Sequence, residues 1–295
     1  MTDNYPAASG KITVTTDSAL PDGLSKEGAA LREERCAVAI MAKASLAGAV
    51  KTRLVPPLTY VEAAELNTCF LADVAANIII AAKQLPIQGF AAYHPLGSEP
   101  FFDELLPDGF ELLPPREPTV GRSLFHAARD LLTRGYRSVC LVNADSPTLP
   151  TDILVEAVRQ LRDSGDRIVI GPAADGGYYL IGLKKFHPRL FEEIDWSTER
   201  VFRQTLARAD EIGVSVAVLP EWYDVDDAPT LATLAQEIRL WQSAASPYRN
   251  GYRAPCTAAF IKKVAAGNGG IERLFECADL SLAQTLGSQD NSNEE

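Results

Sequence analysis

Ser138-Val-Cys-Leu-Val-Asn143-Ala-Asp145-Ser-Pro147 joins the most apolar run of the chain to an acidic residue and a proline. The apolar residues predict a short, buried β-strand over Ser138–Asn143, and Pro147 fixes the turn behind it. Asp145 therefore stands where this strand ends. Ligands of open α/β sheets bind in the crevice at the carboxyl ends of the strands. This stretch thus predicts both a fold class and a first site residue.

Strand and helix signals alternate on both sides of this strand. Apolar runs are separated by helical patterns, such as the helix that the capping box Thr59-Tyr-Val-Glu62 opens. Alternation of this kind predicts βαβ units. We therefore expect an α/β domain of three layers, with a mostly parallel central sheet and helices on both faces. The predicted strands are Cys36–Met41, Gln88–Tyr93, Gly109–Leu113, Ser138–Asn143, Arg167–Ile170, Tyr178–Leu183 and Val214–Leu219, and the predicted helices are 59–83, 99–106, 123–134, 151–163, 197–212 and 227–242.

The two ends of the chain differ in composition from this region. Residues 1–34 are rich in Ser, Thr, Gly, Pro and charged residues, and they are predicted to be a disordered tail. Residues 35–243 form the predicted domain. Residues 244–295 are a C-terminal extension, predicted to be partly helical or disordered and to carry no chemistry of its own.

Composition disfavours several classes of protein. The chain has 295 residues, of which 46% are hydrophobic, which suits one substantial domain. Its formal net charge of −11 disfavours nucleic acid as a partner, because phosphate contacts need clustered Lys and Arg. The N-terminus lacks an apolar signal segment, and no apolar run approaches the roughly 20 residues of a membrane span. The five cysteines include no CxxC pair, so we expect a cytoplasmic protein with buried thiols, as at Cys36 and Cys140, rather than a disulfide framework.

A second candidate site is the loop Gly48–Arg53, which reads GAVKTR and follows the first strand. Its small residues let the backbone approach a phosphate, whose oxygens backbone N–H groups, Lys51 and Arg53 can bind. The loop is not a Walker A motif, since Val50 stands where that motif has glycine, and it is not a GxGxxG motif. A solvated basic loop is the structural alternative.

Carboxylates that follow strands form the third candidate. Asp145 can hold Mg²⁺ against phosphate oxygens. Asp224 and Asp226, which follow the strand Val214–Leu219, are the candidates for a second ligand. Ordinary turn and helix-capping roles are the alternatives, and Asp227 is most simply the N-cap of the next helix.

The turn Asp175-Gly176-Gly177 separates two predicted strands. Its glycines permit backbone angles closed to other residues, and therefore a close approach to a substrate. Asp-Gly is equally a common hairpin turn. The three histidines, His94, His126 and His187, lack the spacing of metal ligands and are not expected to be catalytic.

Five motifs, taken in order, resemble a known family. They are similar to the bacterial glycosyltransferase-like proteins of the GT-A (nucleotide-diphospho-sugar transferase) fold, which include proteins assigned to arsenosugar biosynthesis, and to 2-phospho-L-lactate guanylyltransferase. The resemblance covers about residues 36–240, and its third and fourth motifs are the most specific. The motifs are MAKASLAGAVKTRL (41–54), NADSPTLP (143–150), GPAADGGYYLIGL (171–183), WSTERVFRQTL (196–206) and DVDDAPTL (224–231).

The resemblance implies a Rossmann-like GT-A fold in which acidic residues hold Mg²⁺ or Mn²⁺. It implies an NTP or an NDP-sugar as donor and a small molecule as acceptor. Carried over by position, Gly48, Lys51, Thr52 and Arg53 meet the phosphates, Asp145 and Asp226 hold the metal, Gly121 and Arg122 belong to the nucleotide side, and Asp175, Gly176, Gly177, Trp196, Ser197 and Thr198 face the acceptor.

Three segments depart from the family pattern. Ser45-Leu46-Ala47 stands where relatives usually have prolines, and Asn143 replaces a common glycine. The stretch Arg116–Val120 differs from the nucleotide-facing stretch of relatives, although Gly121 and Arg122 are retained. The last difference bears on which base is bound.

Two reactions fit this set of residues. In nucleotidyl transfer an acceptor phosphate attacks the α-phosphorus of an NTP and pyrophosphate leaves. In glycosyl transfer an acceptor hydroxyl attacks the sugar of an NDP-sugar, with Asp175 as the candidate general base. Lys51 and Arg53 would offset the charge that builds up in either case. The alternative from another class is a nucleotide-binding regulator or degenerate relative without turnover, which the changed Arg116–Val120 stretch favours.

Overall fold

The computed structural model describes residues 26–116, 119–241, 250–267 and 272–275. Within these ranges seven strands form one sheet. The strands are β1 (Cys36–Lys43), β2 (Ile87–His94), β3 (Glu111–Leu113), β4 (Ser138–Asn143), β5 (Arg167–Pro172), β6 (Tyr178–Leu183) and β7 (Ser215–Val218). The helices are α1 (Lys26–Glu34), α2 (Tyr60–Ala82), α3 (Glu99–Leu105), α4 (Val120–Thr133), α5 (Thr151–Arg162), α6 (Val201–Glu211), α7 (Ala228–Leu240) and α8 (Pro255–Ala265), with 3₁₀ turns at Thr52–Leu54 and Pro188–Phe191.

The strands lie in the order β3-β2-β1-β4-β6-β5-β7. β1 pairs in parallel with β2 and β4, β2 with β3, and β5 with β7. β6 is antiparallel to both of its neighbours, because the turn after β5 returns the chain directly beside it. The order of connection reverses between β1 and β4, which is where a crevice opens at the carboxyl ends of the strands. The predicted α/β fold with a mostly parallel sheet is confirmed.

β1 is central because its side chains are apolar on both faces, as buried parallel strands require. Val38 and Ile40 pack with residues of α2, α3 and α5 on one face of the sheet. Ala37 and Ala39 pack with residues of α4 and α6 on the other face. The alternation of side chains along one strand thus builds two hydrophobic layers, and the predicted coverage of both faces is confirmed.

α2 is the longest helix of the described chain, and it begins as its capping box predicts. The Thr59 hydroxyl accepts a hydrogen bond from the Glu62 amide, and the Glu62 carboxylate accepts one from the Thr59 amide. By length and composition α2 is also the one described helix that passes as a membrane span. Because 67% of its apolar window is buried inside the protein, it has the character of a core helix.

Two predicted boundaries are wrong. Residues 1–34 are predicted to be a disordered tail, yet α1 occupies Lys26–Glu34, and the Arg32 guanidinium lies 5.5 Å from the ring centroid of Tyr136. Residues 1–25 lie outside the described ranges. Ser197 is predicted to cap a helix, but α6 begins only at Val201. The reason is that Ser197 has a left-handed backbone, with φ of +64°, inside a separate turn.

The C-terminal extension contributes α8 to the domain. Phe260 and Ile261 of α8 share a hydrophobic cluster with Phe70 of α2 and with residues of α7. Leu54, which follows the predicted phosphate loop, is fully buried in the same cluster. This extension therefore braces a loop that lies next to the candidate site. Residues 242–249, 268–271 and 276–295 lie outside the described ranges.

Candidate functional site

Lys51, Asp145 and Asp226 form an ion-paired cluster, here called the acidic centre, in the loops that follow β1, β4 and β7. The Lys51 Nζ lies 2.7 Å from Asp145 Oδ1 and donates a hydrogen bond to Asp226 Oδ1 at 2.8 Å. It also donates to the Val225 carbonyl oxygen at 2.9 Å. The Lys51 side chain is 6% exposed and each carboxylate is 32% exposed. Because an ammonium has three protons, these three partners occupy all of them.

The backbone aligns the two carboxylates of the acidic centre. The Val225 amide donates to the Asp145 carbonyl oxygen at 2.9 Å, which fixes the segment after β7 beside the segment after β4. Lys51 adopts a left-handed backbone with φ of 49°, uncommon for a residue with a side chain. Phe70 of α2 lies below it, with its ring centroid 5.5 Å from the Lys51 Nζ. The ammonium is therefore held by charge on one side and by an aromatic face on the other.

Charges in the acidic centre shift the pKa of its members. Burial would lower the pKa of Lys51, but Asp145 and Asp226 outweigh it, so the pKa of Lys51 is raised. Burial would raise the pKa of Asp226, but Lys51 and then Arg53 lower it below its ordinary value. Arg53 donates to Asp226 Oδ2 at 2.6 Å from the solvent side. Lys51 and Asp226 accordingly stabilise each other's charged form.

Asp224 lies beside the acidic centre, and its pKa is raised, whereas the pKa of Asp226 is lowered. Burial, and then the charges of Asp175, Asp226 and Asp145, raise the pKa of Asp224 to about 7. Three carboxylates thus act on the charge of Asp224, and Lys51 and Arg53 pair with two of them, Asp145 and Asp226. The region has an excess of negative charge that a cation would relieve.

A cavity of about 820 Å³ opens beside the acidic centre, over the carboxyl ends of β1, β2, β3 and β4. It lies at the topological switch point between β1 and β4, where the fold predicts a ligand. Arg53 and Asp226 line it next to the acidic centre, and residues of α4 line it as well. Its volume lies within the range of pockets that bind small molecules and cofactors.

The turn Asp175–Gly177 closes one end of this cavity. The Gly177 amide donates to Asp175 Oδ1 at 2.8 Å, which fixes the carboxylate. Gly176 has φ of +88°, and a Cβ there would lie 2.4 Å from the Glu199 carbonyl oxygen. The Phe202 amide donates to the Gly176 carbonyl oxygen at 3.0 Å. The need for glycine at 176 is therefore explained by its contact with the loop before α6.

Tyr178 and Trp196 line a second part of the cavity, and Gly121 lies against the Trp196 indole; these three residues are here called the aromatic wall. The rings of Tyr178 and Trp196 meet edge to face, with centroids 6.5 Å apart. A Cβ at Gly121 would lie 2.2 Å from the Trp196 Nε1. Glycine at the start of α4 thus makes room for the indole. The sequence predicted Gly121 on the nucleotide side, whereas the structure explains this glycine by the indole against it.

The structure brings some of the predicted site residues to the cavity surface and places others behind it. The residues that line the cavity are Arg53, Asp175, Gly177, Trp196, Ser197, Thr198 and Asp226. Lys51 and Asp145 lie next to it in the acidic centre, and Gly176 supports the turn from behind. Gly48 and Thr52 lie exposed in the loop after β1, with Gly48 at φ of +79°. The Lys51 ammonium contacts carboxylates, which differs from its predicted place on phosphates.

Several residues that line the cavity had no predicted role. His94 ends β2 and His126 lies on α4, and both line the cavity. The rule that site residues follow strands applies to His94 and provides a signal that identifies it. Tyr178 follows the Asp-Gly-Gly turn directly, which is a similar signal. His126 is placed by the packing of α4, for which the sequence holds no comparable signal.

The residues present fit a divalent cation. Among the described residues, no group of three or more His, Cys, Asp or Glu side chains has the arrangement of a complete metal site. The acidic centre nevertheless offers hard carboxylate oxygens, and the charges of Asp175, Asp226 and Asp145 add to burial in raising the pKa of the adjacent Asp224. Mg²⁺ is commonly held by one or two carboxylates together with water and substrate phosphates. Asp145 and Asp226 match that pattern.

Comparisons with known proteins agree with this fold. Residues 79–198, about two fifths of the chain, match the family described as "Uncharacterized protein conserved in bacteria (DUF2064)". That stretch contains Asp145 and the turn Asp175–Gly177, whereas Lys51 and Asp226 lie outside it. A comparison with the curated proteins finds no match.

Solved structures give a second comparison. The chain is 27% identical to a Desulfovibrio desulfuricans G20 protein proposed to be a nucleotide-diphospho-sugar transferase, with a TM-score of 0.63, covering 78% of this chain and 97% of that one. A cytidylyltransferase from Leptospira borgpetersenii is 14% identical, with a TM-score of 0.43, over 78% and 94% of the two chains. A 4-diphosphocytidyl-2C-methyl-D-erythritol synthase from Anaerococcus prevotii is 10% identical, with a TM-score of 0.43, over 66% and 92%. The first match confirms the predicted resemblance to the nucleotide-diphospho-sugar transferase fold, and the two lower scores support no conclusion.

Proposed function

We propose that this protein is a metal-dependent transferase that binds a nucleotide, either an NTP or an NDP-sugar, in the cavity beside the acidic centre. The observation that carries the proposal is the position of the Asp145 and Asp226 carboxylates. They share one ammonium at the edge of a cavity of about 820 Å³ at the switch point of the sheet. The 27% identical protein proposed to be a nucleotide-diphospho-sugar transferase supports the same class of reaction.

Arg53 is the residue best placed to bind phosphate oxygens. Its side chain is 69% exposed and lines the cavity, while its Nη2 pairs with Asp226. A guanidinium has five N–H donors in a planar fork, so it can pair with a phosphate while it holds a carboxylate. Lys43, at the end of β1, also lines the cavity and adds positive charge beside it.

Lys51 would act on the carboxylates and not on the substrate. Its ammonium pairs with Oδ1 of both Asp145 and Asp226 and so holds the two carboxylates close together, while Arg53 pairs with Asp226 Oδ2 and would give up that oxygen to a cation. Asp145 and Asp226 would hold Mg²⁺ or Mn²⁺, which when bound neutralises charge on the phosphates of the leaving group. Arg53 would stabilise the same charge from the cavity side.

The aromatic wall and the turn at Asp175 would bind and orient the acceptor. Trp196, Ser197 and Thr198 border the cavity on the side of this turn. If the acceptor is a hydroxyl, the Asp175 carboxylate is the group placed to remove its proton, since it lines the cavity and its orientation is fixed by the Gly177 amide. An acceptor phosphate is already ionised and needs no base.

Isothermal calorimetry tests the binding step. NTPs and NDP-sugars are titrated into the full chain with Mg²⁺ and with chelator, and metal-dependent binding of at least one nucleotide is expected. Asp145→Asn should abolish the metal dependence. Asp163→Asn serves as the matched control, because its carboxylate is 61% exposed and pairs with Arg167 away from the cavity. The absence of metal-dependent binding of any nucleotide would overturn the proposal.

Product analysis then separates the reactions. Release of pyrophosphate indicates nucleotidyl transfer, and release of a nucleoside diphosphate indicates glycosyl transfer. Metal-dependent binding with neither product, across a panel of phosphate and sugar acceptors, would favour the alternative of a nucleotide-binding protein without turnover.

A further inference from the structure

Cys69 and Cys256 lie in contact although 187 residues separate them in the chain. Their Sγ atoms are 2.6 Å apart. This separation approaches the bond length of a disulfide, about 2.05 Å. Cys69 belongs to α2 and is 8% exposed, whereas Cys256 lies in the first turn of α8 and is partly exposed. Cys256 is therefore the member of the pair that lies nearer to solvent.

The contact is held by packing that does not depend on the sulfur atoms. The Asp73 carboxylate of α2 accepts hydrogen bonds from the amides of Cys256 and Thr257, at 3.1 and 2.7 Å. It therefore binds the positively polarised N-terminus of α8 one turn along α2 from Cys69. Phe260 and Ile261 bury the rest of α8 in the hydrophobic cluster. These contacts keep the two thiols adjacent in the reduced protein.

A second cysteine pair provides an internal comparison. Cys36 and Cys140 lie on the adjacent strands β1 and β4, with Sγ atoms 3.8 Å apart. They are 2% and 1% exposed, respectively, beneath the helices that cover the sheet. Their wider separation and their burial protect this pair from oxidants.

We propose that Cys69 and Cys256 are a site of reversible disulfide formation that fastens α8 to α2. The oxidant is a low-molecular-weight disulfide. The Cys256 thiolate attacks one of its sulfur atoms and displaces a thiolate. The Cys69 thiolate then attacks the mixed disulfide at the Cys256 sulfur and releases the second thiolate. The two protein thiols lose two protons and two electrons in total, and the oxidant is reduced to two thiols.

The bond would act on a segment that supports the acidic centre. α2 carries Phe70, whose ring lies below the Lys51 ammonium, and the shared cluster includes Leu54 of the adjoining loop. A disulfide between Cys69 and Cys256, which are 187 residues apart, would strongly reduce the conformational entropy of the unfolded chain. Burial raises the pKa of both Cys69 and Cys256, so less thiolate is present at neutral pH and the exchange is slowed.

Oxidised glutathione is the probe that tests the proposal. The full chain is reduced, desalted, incubated with excess oxidised glutathione, denatured and labelled with N-ethylmaleimide. Mass spectrometry should show the loss of two labels, and peptide mapping should find Cys69 linked to Cys256. The bond should raise Tm by about 5–10 °C, and dithiothreitol should reverse the change. Cys256→Ser should abolish both effects, and Cys140→Ser should leave both intact.

Cys277 is the cysteine outside the described residues, so Cys277→Ser provides the second variant, and the link should form in it unchanged. Full labelling of all five cysteines after oxidation would overturn the proposal. A link that includes Cys277, or only a mixed disulfide with glutathione, would overturn it equally. A Cys69–Cys256 link without a change in Tm would overturn the fastening role. None of these outcomes depends on whether the protein binds nucleotides.

Discussion

The acidic centre and the aromatic wall border the same cavity but are held together by different forces. Lys51, Asp145 and Asp226 are positioned by charge and hydrogen bonds among three loops. Tyr178, Trp196 and Gly121 are positioned by shape, since the indole occupies the volume that a Cβ at 121 would need. The charged side should therefore respond to changes of charge and to cations, and the aromatic side to changes of volume.

Removing the charge of Lys51 should destabilise the acidic centre most strongly. Lys51→Met leaves the Asp145 and Asp226 carboxylates partly buried without their shared ammonium, and loss of one partner of a buried ion pair costs about 3–5 kcal/mol. Urea unfolding measures the loss. A divalent cation that binds both carboxylates should restore part of it, so Mn²⁺ should stabilise Lys51→Met more than the unaltered protein. Equal stability of the two proteins without metal would contradict this view of Lys51.

The turn that supports the aromatic wall is the next most sensitive position. Gly176→Ala places a Cβ 2.4 Å from the Glu199 carbonyl oxygen and also strains a backbone with φ of +88°. We expect a loss of about 2–4 kcal/mol in the free energy of unfolding, because the obstacle is backbone. Gly213→Ala is the matched control, since φ is +64° there and nothing lies within 4 Å of the added atom. If Gly176→Ala and Gly213→Ala lower the free energy of unfolding by the same amount, the contact with Glu199 adds nothing to the cost of a side chain at position 176.

Gly121→Ala tests the shape of the wall directly and should cost less. The added Cβ meets the Trp196 indole, a side chain that can move, so we expect a loss of about 1–3 kcal/mol. Combining it with Trp196→Leu should recover much of that loss, which a double-mutant cycle measures. Additive effects of the two substitutions would show that Gly121 and Trp196 do not interact.

Arg53→Met should have the smallest effect on stability. It removes the same charge as Lys51→Met, but the Arg53 side chain is 69% exposed, and exposed ion pairs contribute only about 0–1 kcal/mol. Nucleotide affinity should nevertheless fall, because Arg53 lines the cavity. If Arg53→Met lowers the free energy of unfolding as much as Lys51→Met does, the burial of Lys51 is not the reason for its larger expected contribution.

Local sequence patterns predicted most of the fold. The capping box at Thr59 and the apolar run of β4 were sufficient for α2 and a central strand, since both depend on neighbours in the chain. The predicted start of α6 was wrong because Ser197 has a left-handed backbone, and the segment that follows it contacts the distant turn at Gly176 through Glu199 and Phe202. The helix α1 was missed because its composition is polar and its anchor, Tyr136, is distant in sequence.

By itself, the sequence determined the alternation of strands and helices, the position of Asp145 at a strand end and the glycines that turns require. Each of these follows from short-range periodicity and backbone geometry. Only the tertiary structure decided that the Lys51 ammonium lies between two carboxylates, that Trp196 fills the space above Gly121, and that Cys69 meets Cys256. These contacts join residues 75 to 187 positions apart. They exist because loops and helices that are distant in the chain meet around one sheet, and no local pattern specifies which of their side chains meet.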